Sequence, residues 1–510
     1  MRKLTAAAFV VGIVLGAVAP GAAGPRADVL AQDKGKPKGK APEPPTAERE
    51  FLEGYASEDP VVRAKAVERL VDVPEPARLQ LIASKVVPKE KRADIVARTI
   101  EVLGRIQDES VCEKVVSLAR VGSVEQRVVY VEALASMRVS SAAHRALLEL
   151  VNDKETWIRA MAAYGLGEHR AADAIAPLVA CLDDRQWQVQ SAALGALPRI
   201  QDKEALKTKA VPELIRFLDL SSGRQQADCA DALKRILGRN LGKDPDAWRR
   251  FLAGGDGAAP AAPGAPGGED GQKPAPGSNA AYGSADKPHF YGIEVTSTRV
   301  VIVLDTSLSM NDPIEIDKER LRRETSKRRA VTGEGPADAP KDADPADVGY
   351  DIPWWRIKSR LDLARYQTIH LISQLQQEQN FDLILFNTKV DPWMGKLVPA
   401  TQANKQKAIA MVEALKPDGE TNTWGALSAA FELSASNVRT GGPGSPDEIY
   451  FVTDGAPSKG DIIDGNQIYE AAIQLAKVHQ MRIHVIGIGV NLTFLRKMAV
   501  MTGGQAKFFE

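Results

Sequence analysis

Asp305, Ser307 and Ser309 place a carboxylate and two hydroxyls at alternate positions at the end of the run Arg299–Met310, RVVIVLDTSLSM. Val300–Leu304 is apolar throughout and mostly β-branched, the pattern of a central parallel strand covered on both faces. The oxygens therefore gather where a buried strand stops. In open α/β sheets ligands bind at the carboxyl ends of the strands, so these side chains stand where a site belongs. A plainer account is that a serine merely caps the helix that follows. Capping explains one hydroxyl at one junction.

Two further pieces lie downstream. One is the threonine of Gly419-Glu420-Thr421-Asn422-Thr423, and the other is Asp454, which follows the apolar run Ile449–Val452. D-x-S-x-S, then threonine, then aspartate, in this order, resembles the metal-ion-dependent adhesion site of von Willebrand factor type A domains. The resemblance implies a divalent cation, Mg2+ by first expectation with Mn2+ or Ca2+ as alternatives. It assigns hydroxyl ligation to Ser307, Ser309 and Thr421, with Asp305 and Asp454 acting mostly through water. Mg2+ takes about six hard oxygen ligands at about 2.1 Å and usually retains waters. Neutral hydroxyls quench its charge poorly, and in this family a partner's Asp or Glu carboxylate completes the shell. Two positions depart from the usual pattern: Leu308 and Glu420 stand where many relatives have glycine. Neither change removes a ligand. Glu420 adds negative charge beside the ion or closes its open position.

The elements needed to hold these loops are legible from His289 onwards. Candidate strands Val300–Leu304, Phe381–Phe386, Glu448–Val452, Ile483–Ile488 and Ala506–Phe509 alternate with helical patterns, the sign of a doubly wound, Rossmann-like α/β sheet. The type A domain is expected over 288–510. A charged insertion, 311–353, separates the first loop from the first helix. Its carboxylates can act as an internal ligand that masks the metal. Glu420 and the adjacent Trp354 and Trp355 are candidate partner contacts, with cover of the sheet edge as the plainer account of the tryptophans.

Between 48 and 252 a helical pattern recurs about every 32 residues. Its instances are Val62/Ala66/Leu70, Ile95/Thr99/Leu103, Gln126/Tyr130/Leu134, Ile158/Ala162/Leu166, Val189/Ala193/Leu197 and Gln225/Cys229/Leu233. Spacing of i, i+4, i+8 puts each trio on one helix face. Arg63, Arg127 and Arg159 follow the first position, and acidic residues such as Asp183-Asp184 precede it. These segments resemble HEAT-type repeats, which implies an all-α solenoid of about six stacked helix pairs. Trp157 and Trp187 occupy equivalent places and are expected to pack at the turn, a binding stripe being the alternative. Cys112, Cys181 and Cys229 fall among apolar neighbours and are expected in the core.

The remaining segments connect or target. Met1–Gly24 has Arg2 and Lys3 before an apolar run and then small residues, the pattern of a secretory signal cleaved as late as Ala31. An uncleaved N-terminal anchor is the alternative, and the destination is periplasmic or extracellular. A basic, Pro-rich linker follows over 25–47. The Gly/Ala/Pro-rich stretch 253–287 cannot bury enough apolar surface to fold, and as a disordered linker it would let the two domains move.

Charge is balanced, 66 basic against 66 acidic residues, and aromatic content is 5%. No global field favours nucleic acid or anionic membranes, and base-stacking surface is scarce. No H-x-x-x-H, C-x-x-C, G-x-S-x-G or phosphate-binding glycine loop is present. The expectation is an exported, non-enzymatic binding or adhesion-type protein. Its metal would grip a carboxylate on a protein partner, and its solenoid would offer a second contact surface. The alternatives are a solenoid scaffold with a structural metal, or a metal-dependent hydrolase with Glu420 as its sole nearby base.

Overall fold

The computed structural model describes residues 46–254, 288–314, 318–325, 352–440 and 445–509. The N-terminal signal, both linkers apart from their margins and most of the insertion lie outside these residues.

The helical half is built of pairs. Pro60–Arg69, Ala93–Gly104, Val124–Ser136, Thr156–His169, Trp187–Ala196 and Gly223–Leu237 form one wall. Behind them run Glu75–Leu81, Glu109–Ala119, Ser141–Leu150, Ile175–Ala180, Val211–Leu220 and Pro245–Leu252. The recurring trios line the core: Ile95, Leu103, Leu134, Ile158, Ala162, Leu166, Val189, Ala193, Leu197, Cys229 and Leu233 are fully buried. Val62 departs from the pattern and is 39% exposed. The three cysteines are free and buried.

The recurring arginines and acidic residues turn out to be one device. Arg63 pairs with Glu90 at 3.2 Å, Arg127 with Asp153, and Arg159 with Asp184 at 2.8 Å. Each guanidinium therefore reaches the acidic residue that opens the next pair, fixing the stacking register.

Small residues set how closely the wall helices approach. A Cβ at Gly167 would lie 2.7 Å from Ala196 Cα, whereas one at Gly195 would meet nothing within 4 Å. Gly167→Ala is thus expected to destabilise by about 1–3 kcal/mol through overpacking. Gly195→Ala should stabilise by about 0.4–1 kcal/mol, because alanine loses less backbone freedom in a helix. Urea denaturation of the two variants would show shifts of opposite sign.

The second half is a sheet sandwiched by helices. A hairpin, β1 (His289–Phe290) and β2 (Ile293–Glu294), precedes a mixed sheet of seven strands. Its strands are β3 (Arg299–Asp305), β4 (Asn380–Phe386), β5 (Val390–Pro392), β6 (Val398–Pro399), β7 (Glu448–Thr453), β8 (Arg482–Ile488) and β9 (Ala506–Phe509). The order is β5-β4-β3-β7-β8-β9, with β6 also on β4. β4, β3, β7, β8 and β9 are mutually parallel, as expected. β5 and β6 return antiparallel on the β4 edge, strands too short for a sequence pattern to reveal. Apolar residues fill both faces of β3: Val300, Ile302 and Leu304 enter one core, Val301 and Val303 the other.

The two halves are docked, contrary to the expectation of independently moving domains. Helix Gly465–His479 packs on the solenoid wall, against Ala93–Gly104 and Thr156–His169. Val478 belongs to the solenoid's core and Ala93 to that of the sheet domain. Trp157 meets His479 edge-on with ring centroids 5.2 Å apart, and Trp187 carries the Arg299 guanidinium 4.6 Å above its ring. Trp157 packs in the solenoid core at the start of its helix, as expected, and both tryptophans also serve the contact between the two halves.

Polar groups close both ends of that contact. Arg224 donates to the carbonyls of Asp447 (2.5 Å) and Gln480 (2.8 Å). Asp228 joins Arg224 at 3.1 Å to Arg482 at 2.5 Å. At the other end Arg92 donates to the Asp461 carbonyl at 2.5 Å, and Arg98 pairs with Glu470 at 2.9 Å.

Candidate metal centre

β3 is the strand at which the sheet changes direction. Its neighbours are β4, reached through helix Arg360–Gln374, and β7, reached through helix Thr423–Thr440. The crevice at the carboxyl ends of β3 and β7 is the switch point where such sheets bind ligands. Asp305 ends β3, and Asp454 follows β7 directly.

The structure brings together all five residues singled out as metal ligands. Ser307 Oγ lies 3.2 Å from Ser309 Oγ, and Ser309 Oγ donates to Asp454 Oδ1 at 2.8 Å. A Cβ on Gly455 would stand 3.4 Å from Thr421 Oγ1 and 3.7 Å from Ser309 Oγ, so both hydroxyls border the same small space. Asp305 accepts from the Ser307 N–H at 2.8 Å and from the Thr453 hydroxyl at 2.6 Å, which fixes both carboxylate oxygens.

Backbone ties hold the three loops in register. Leu308 N–H donates to the Gly419 carbonyl at 3.1 Å, and Asp418 N–H to the Thr306 carbonyl at 2.8 Å. Ser458 and Lys459 N–H groups converge on the Thr421 carbonyl at 3.0 and 3.2 Å, while Thr421 N–H donates to Ser458 Oγ at 3.0 Å. The segment that starts at Asp454 is therefore tied to Thr421, and through Asp461 to Arg92 of the solenoid.

Electrostatics favour a cation here. The Asp305 carboxyl is raised to about 6, by burial first and by the nearby Asp454 charge, against hydrogen bonds from Ser307 and Thr453 that lower it. Asp454 is also raised, by burial first, with Arg360 and Ser309 opposing. Two buried carboxylates beside a single guanidinium, together with three hydroxyl oxygens, suit a hard divalent ion. Among the described residues no group of three or more His, Cys, Asp and Glu gathers as a cage. The donor set is hydroxyl-rich, and it fits the implied cation.

The rim is mixed. Leu308 is 61% exposed. The Glu420 side chain is also exposed and sits 3.7 Å from Lys459. The expected partner contact at Trp354 is corrected: this side chain is buried in the core beside the sheet, because its 3-10 turn faces inward. Trp355 is partly buried. Sequence reasoning passes over Arg360, whose Nη1 lies 2.9 Å from Asp454 Oδ2 and 3.4 Å from Asp312. It stands beyond the insertion from the first loop, in no recurring pattern, and only the folded stem brings it back.

Besides its two ends, the described residues of the insertion form a short helix, Lys318–Thr325, with Leu321 buried and the Thr325 carbonyl accepting from Gln367 at 3.3 Å. The carboxylates expected to mask the metal fall mainly outside the described residues.

Comparison with known proteins agrees with both halves. The von Willebrand factor type A domain family model matches residues 369–508, and HEAT repeats match 120–197 and 143–234. The type A match contains Thr421 and Asp454 and begins beyond the insertion. The inter-alpha-trypsin inhibitor heavy chain H1 of Mesocricetus auratus is 31% identical over 145 residues, 27% of this chain and 15% of that protein. Heavy chain 4 of Mus musculus is 30% identical over 152 residues, 29% of this chain and 16% of that one. The match thus spans only 15–16% of the length of these curated relatives. A solved structure described as von Willebrand factor type A from Catenulispora acidiphila aligns with TM-score 0.29 and 17% identity, covering 42% of this chain and 40% of that chain. The chain carries HEAT-type helical repeats followed by a von Willebrand factor type A domain.

Proposed function

We propose that this chain is an exported, non-enzymatic binding protein of adhesion type. Its type A domain holds a divalent cation through Asp305, Ser307, Ser309, Thr421 and Asp454 and uses it to engage an acidic group on a protein partner. The observation that carries this reading is the convergence of three separate loops, two at the ends of β3 and β7, on one hydroxyl-rich space. Asp305 and Asp454 balance charge, while Ser307, Ser309 and Thr421 offer oxygens without cancelling it. A bound cation supplies an open position for a carboxylate oxygen. Leu308 and the Glu420–Lys459 pair form the rim that a partner would touch. The apolar N-terminal run supports export, and among the described residues no helix is long and apolar enough to cross a membrane.

Docking changes the part assigned to the repeats. The wall that meets helix Gly465–His479 is covered, so it serves to brace the type A domain. A second partner contact would have to use another face of the solenoid.

The full chain should melt higher in Mg2+ than in EDTA. A ligand at about a hundred times its Kd stabilises by about 2.7 kcal/mol, which is a rise of several degrees for a unit of ordinary domain size. Ser307→Ala should lose most of that rise. Thr421→Ala combined with Asp454→Ala should abolish Mg2+-dependent capture on a poly-L-glutamate surface. Capture that persists in the double variant would turn the reading toward a scaffold with a structural ion. Turnover of a phosphate or peptide substrate that EDTA removes would turn it toward a hydrolase.

A further inference from the structure

Arg360 is held at the metal loops from two sides. Its N–H donates to the Asp312 carbonyl at 3.0 Å, and Pro313 bridges to Ser359, so the stem of the insertion fixes its backbone. Its guanidinium lies 2.9 Å from Asp454 Oδ2 and is 21% exposed. Opposite, a Cβ on Gly489 would come within 2.8 Å of the Arg360 Cζ, and Gly489 has φ +73°. The glycine at the end of β8 leaves the room that the guanidinium fills. Asp312, 57% exposed, shares the same guanidinium at 3.4 Å.

This fixed charge alters the sum at the site. Asp305 and Asp454 carry two negative charges, which one divalent cation would cancel. Arg360 adds one positive charge within ion-pair distance of Asp454. Asp312 faces solvent, where screening weakens its contribution. Glu420 and Lys459 offset each other on the rim. A loaded centre with Arg360 in place keeps a positive surplus, and one without it is close to neutral.

We propose that Arg360 is a specificity-determining residue of the metal centre: it weakens cation binding and reserves a positive surplus for a partner's carboxylate. This rests on the reading of the site as a metal-dependent carboxylate binder. Arg360 acts through Asp454 and the local field rather than as a metal ligand. Its two effects run in opposite directions, which a purely structural role would not produce. If the guanidinium only held Asp454 in place, its loss would weaken cation and carboxylate binding together.

The test uses the full chain, with Mn2+ affinity read by calorimetric titration and carboxylate affinity by capture on poly-L-glutamate in saturating Mn2+. Arg360→Gln should tighten Mn2+ binding by about tenfold, the order expected for removing one like charge a few ångströms away in a partly screened site. It should also reduce capture by at least about tenfold. Arg360→Lys retains the charge, and both values should stay within a few-fold of the original chain. Circular dichroism establishes that each variant is folded. Mn2+ affinity that is unchanged or weaker in Arg360→Gln, or capture that is undiminished, would overturn the assignment of Arg360 while leaving the metal site intact. An unaltered chain that binds no Mn2+, or binds it and captures no poly-L-glutamate, would overturn the underlying reading and this inference with it.

Discussion

Arg224→Ala should split one unfolding transition into two and cost about 1–3 kcal/mol, the range for leaving a buried hydrogen-bonding group without its partner. Arg224 is 7% exposed and donates to two carbonyls of the type A domain. Its loss leaves those carbonyls without this donor and leaves Asp228 facing Arg482 alone. Arg482 in turn reaches Glu448 at 3.5 Å, a carboxylate that burial alone would push up but that His484, Arg482 and Arg224 together hold down at about 2. Glu448 therefore contributes stability that is present above the ordinary carboxylate value and is lost as pH falls toward 2. Removing Arg224 withdraws part of that support as well. The control is Arg216→Ala on the solenoid surface. Arg216 pairs with Asp183 and Glu213 while 43% exposed, and exposed pairs of this kind are worth less than about 1 kcal/mol. Urea denaturation followed by circular dichroism, with limited proteolysis between the halves, reads both variants. A single unshifted transition for Arg224→Ala would mean that the docked arrangement contributes little in solution.

The candidate metal loops are legible in the sequence because their signal is local. A strand buried on both faces reads as an unbroken apolar run, and an oxygen-bearing residue just beyond it has only one place to go. The resemblance to the type A motif groups Ser307, Ser309, Thr421 and Asp454; parallel strands account for Asp305 and Asp454, whose strands end on one edge, whereas Thr421 lies between two helices. The repeats are legible for a similar reason: each trio repeats a helix face that a neighbour must cover. Docking is not. The residues that carry it, Trp157, Trp187, Arg224, Arg92 and Arg98, look in sequence like ordinary members of the repeat. Their partners lie hundreds of positions away, among them His479, Gln480 and Asp461. Trp354 misleads because two adjacent tryptophans near a site suggest exposure, whereas the turn buries one and partly covers the other. Arg360 escapes because its meaning comes from the stem formed by Asp312, Pro313 and Ser359, which closes a long insertion.

The docked halves also bear on how the site works. The segment after Asp454 is fastened to Thr421 at Ser458 and Lys459 and to the solenoid at Asp461. Loss of docking is therefore expected to loosen the third loop of the candidate metal centre. In Arg224→Ala this would register as a smaller Mg2+-induced rise in Tm, although Arg224 stands at the opposite end of the sheet from the site.

Asp305→Asn should raise the stability of the metal-free protein and remove most of its response to metal. Asp305 is fully buried, and its carboxyl is pushed from 3.8 up to about 6, mainly by burial. A folded-state value above the unfolded one means that the ionised side chain opposes folding at pH 7. A tenfold change in a carboxyl's proton affinity corresponds to about 1.4 kcal/mol, so that cost is on the order of 3 kcal/mol. Asparagine keeps the shape without the charge and should recover most of it in EDTA. The pH dependence follows with the same sign: the unaltered, metal-free chain should gain stability as pH falls from about 6 toward 4, as the folded form takes up the proton. Asp305→Asn should lack that part of the gain, while the contribution of Asp454, also raised by burial, remains in both. In saturating Mg2+ the order should reverse, because the charge that costs stability in the empty site is what holds the ion, and Mg2+ affinity should fall by about a hundredfold or more in the variant. Denaturation in EDTA at pH 7 and pH 5, and again in Mg2+ at pH 7, measures all of these differences. A variant less stable than the original chain in EDTA at pH 7 would mean that the hydrogen bonds from Ser307 and Thr453 outweigh the burial of the charge. The loops would then be held by Asp305 itself rather than strained by it in readiness for a cation.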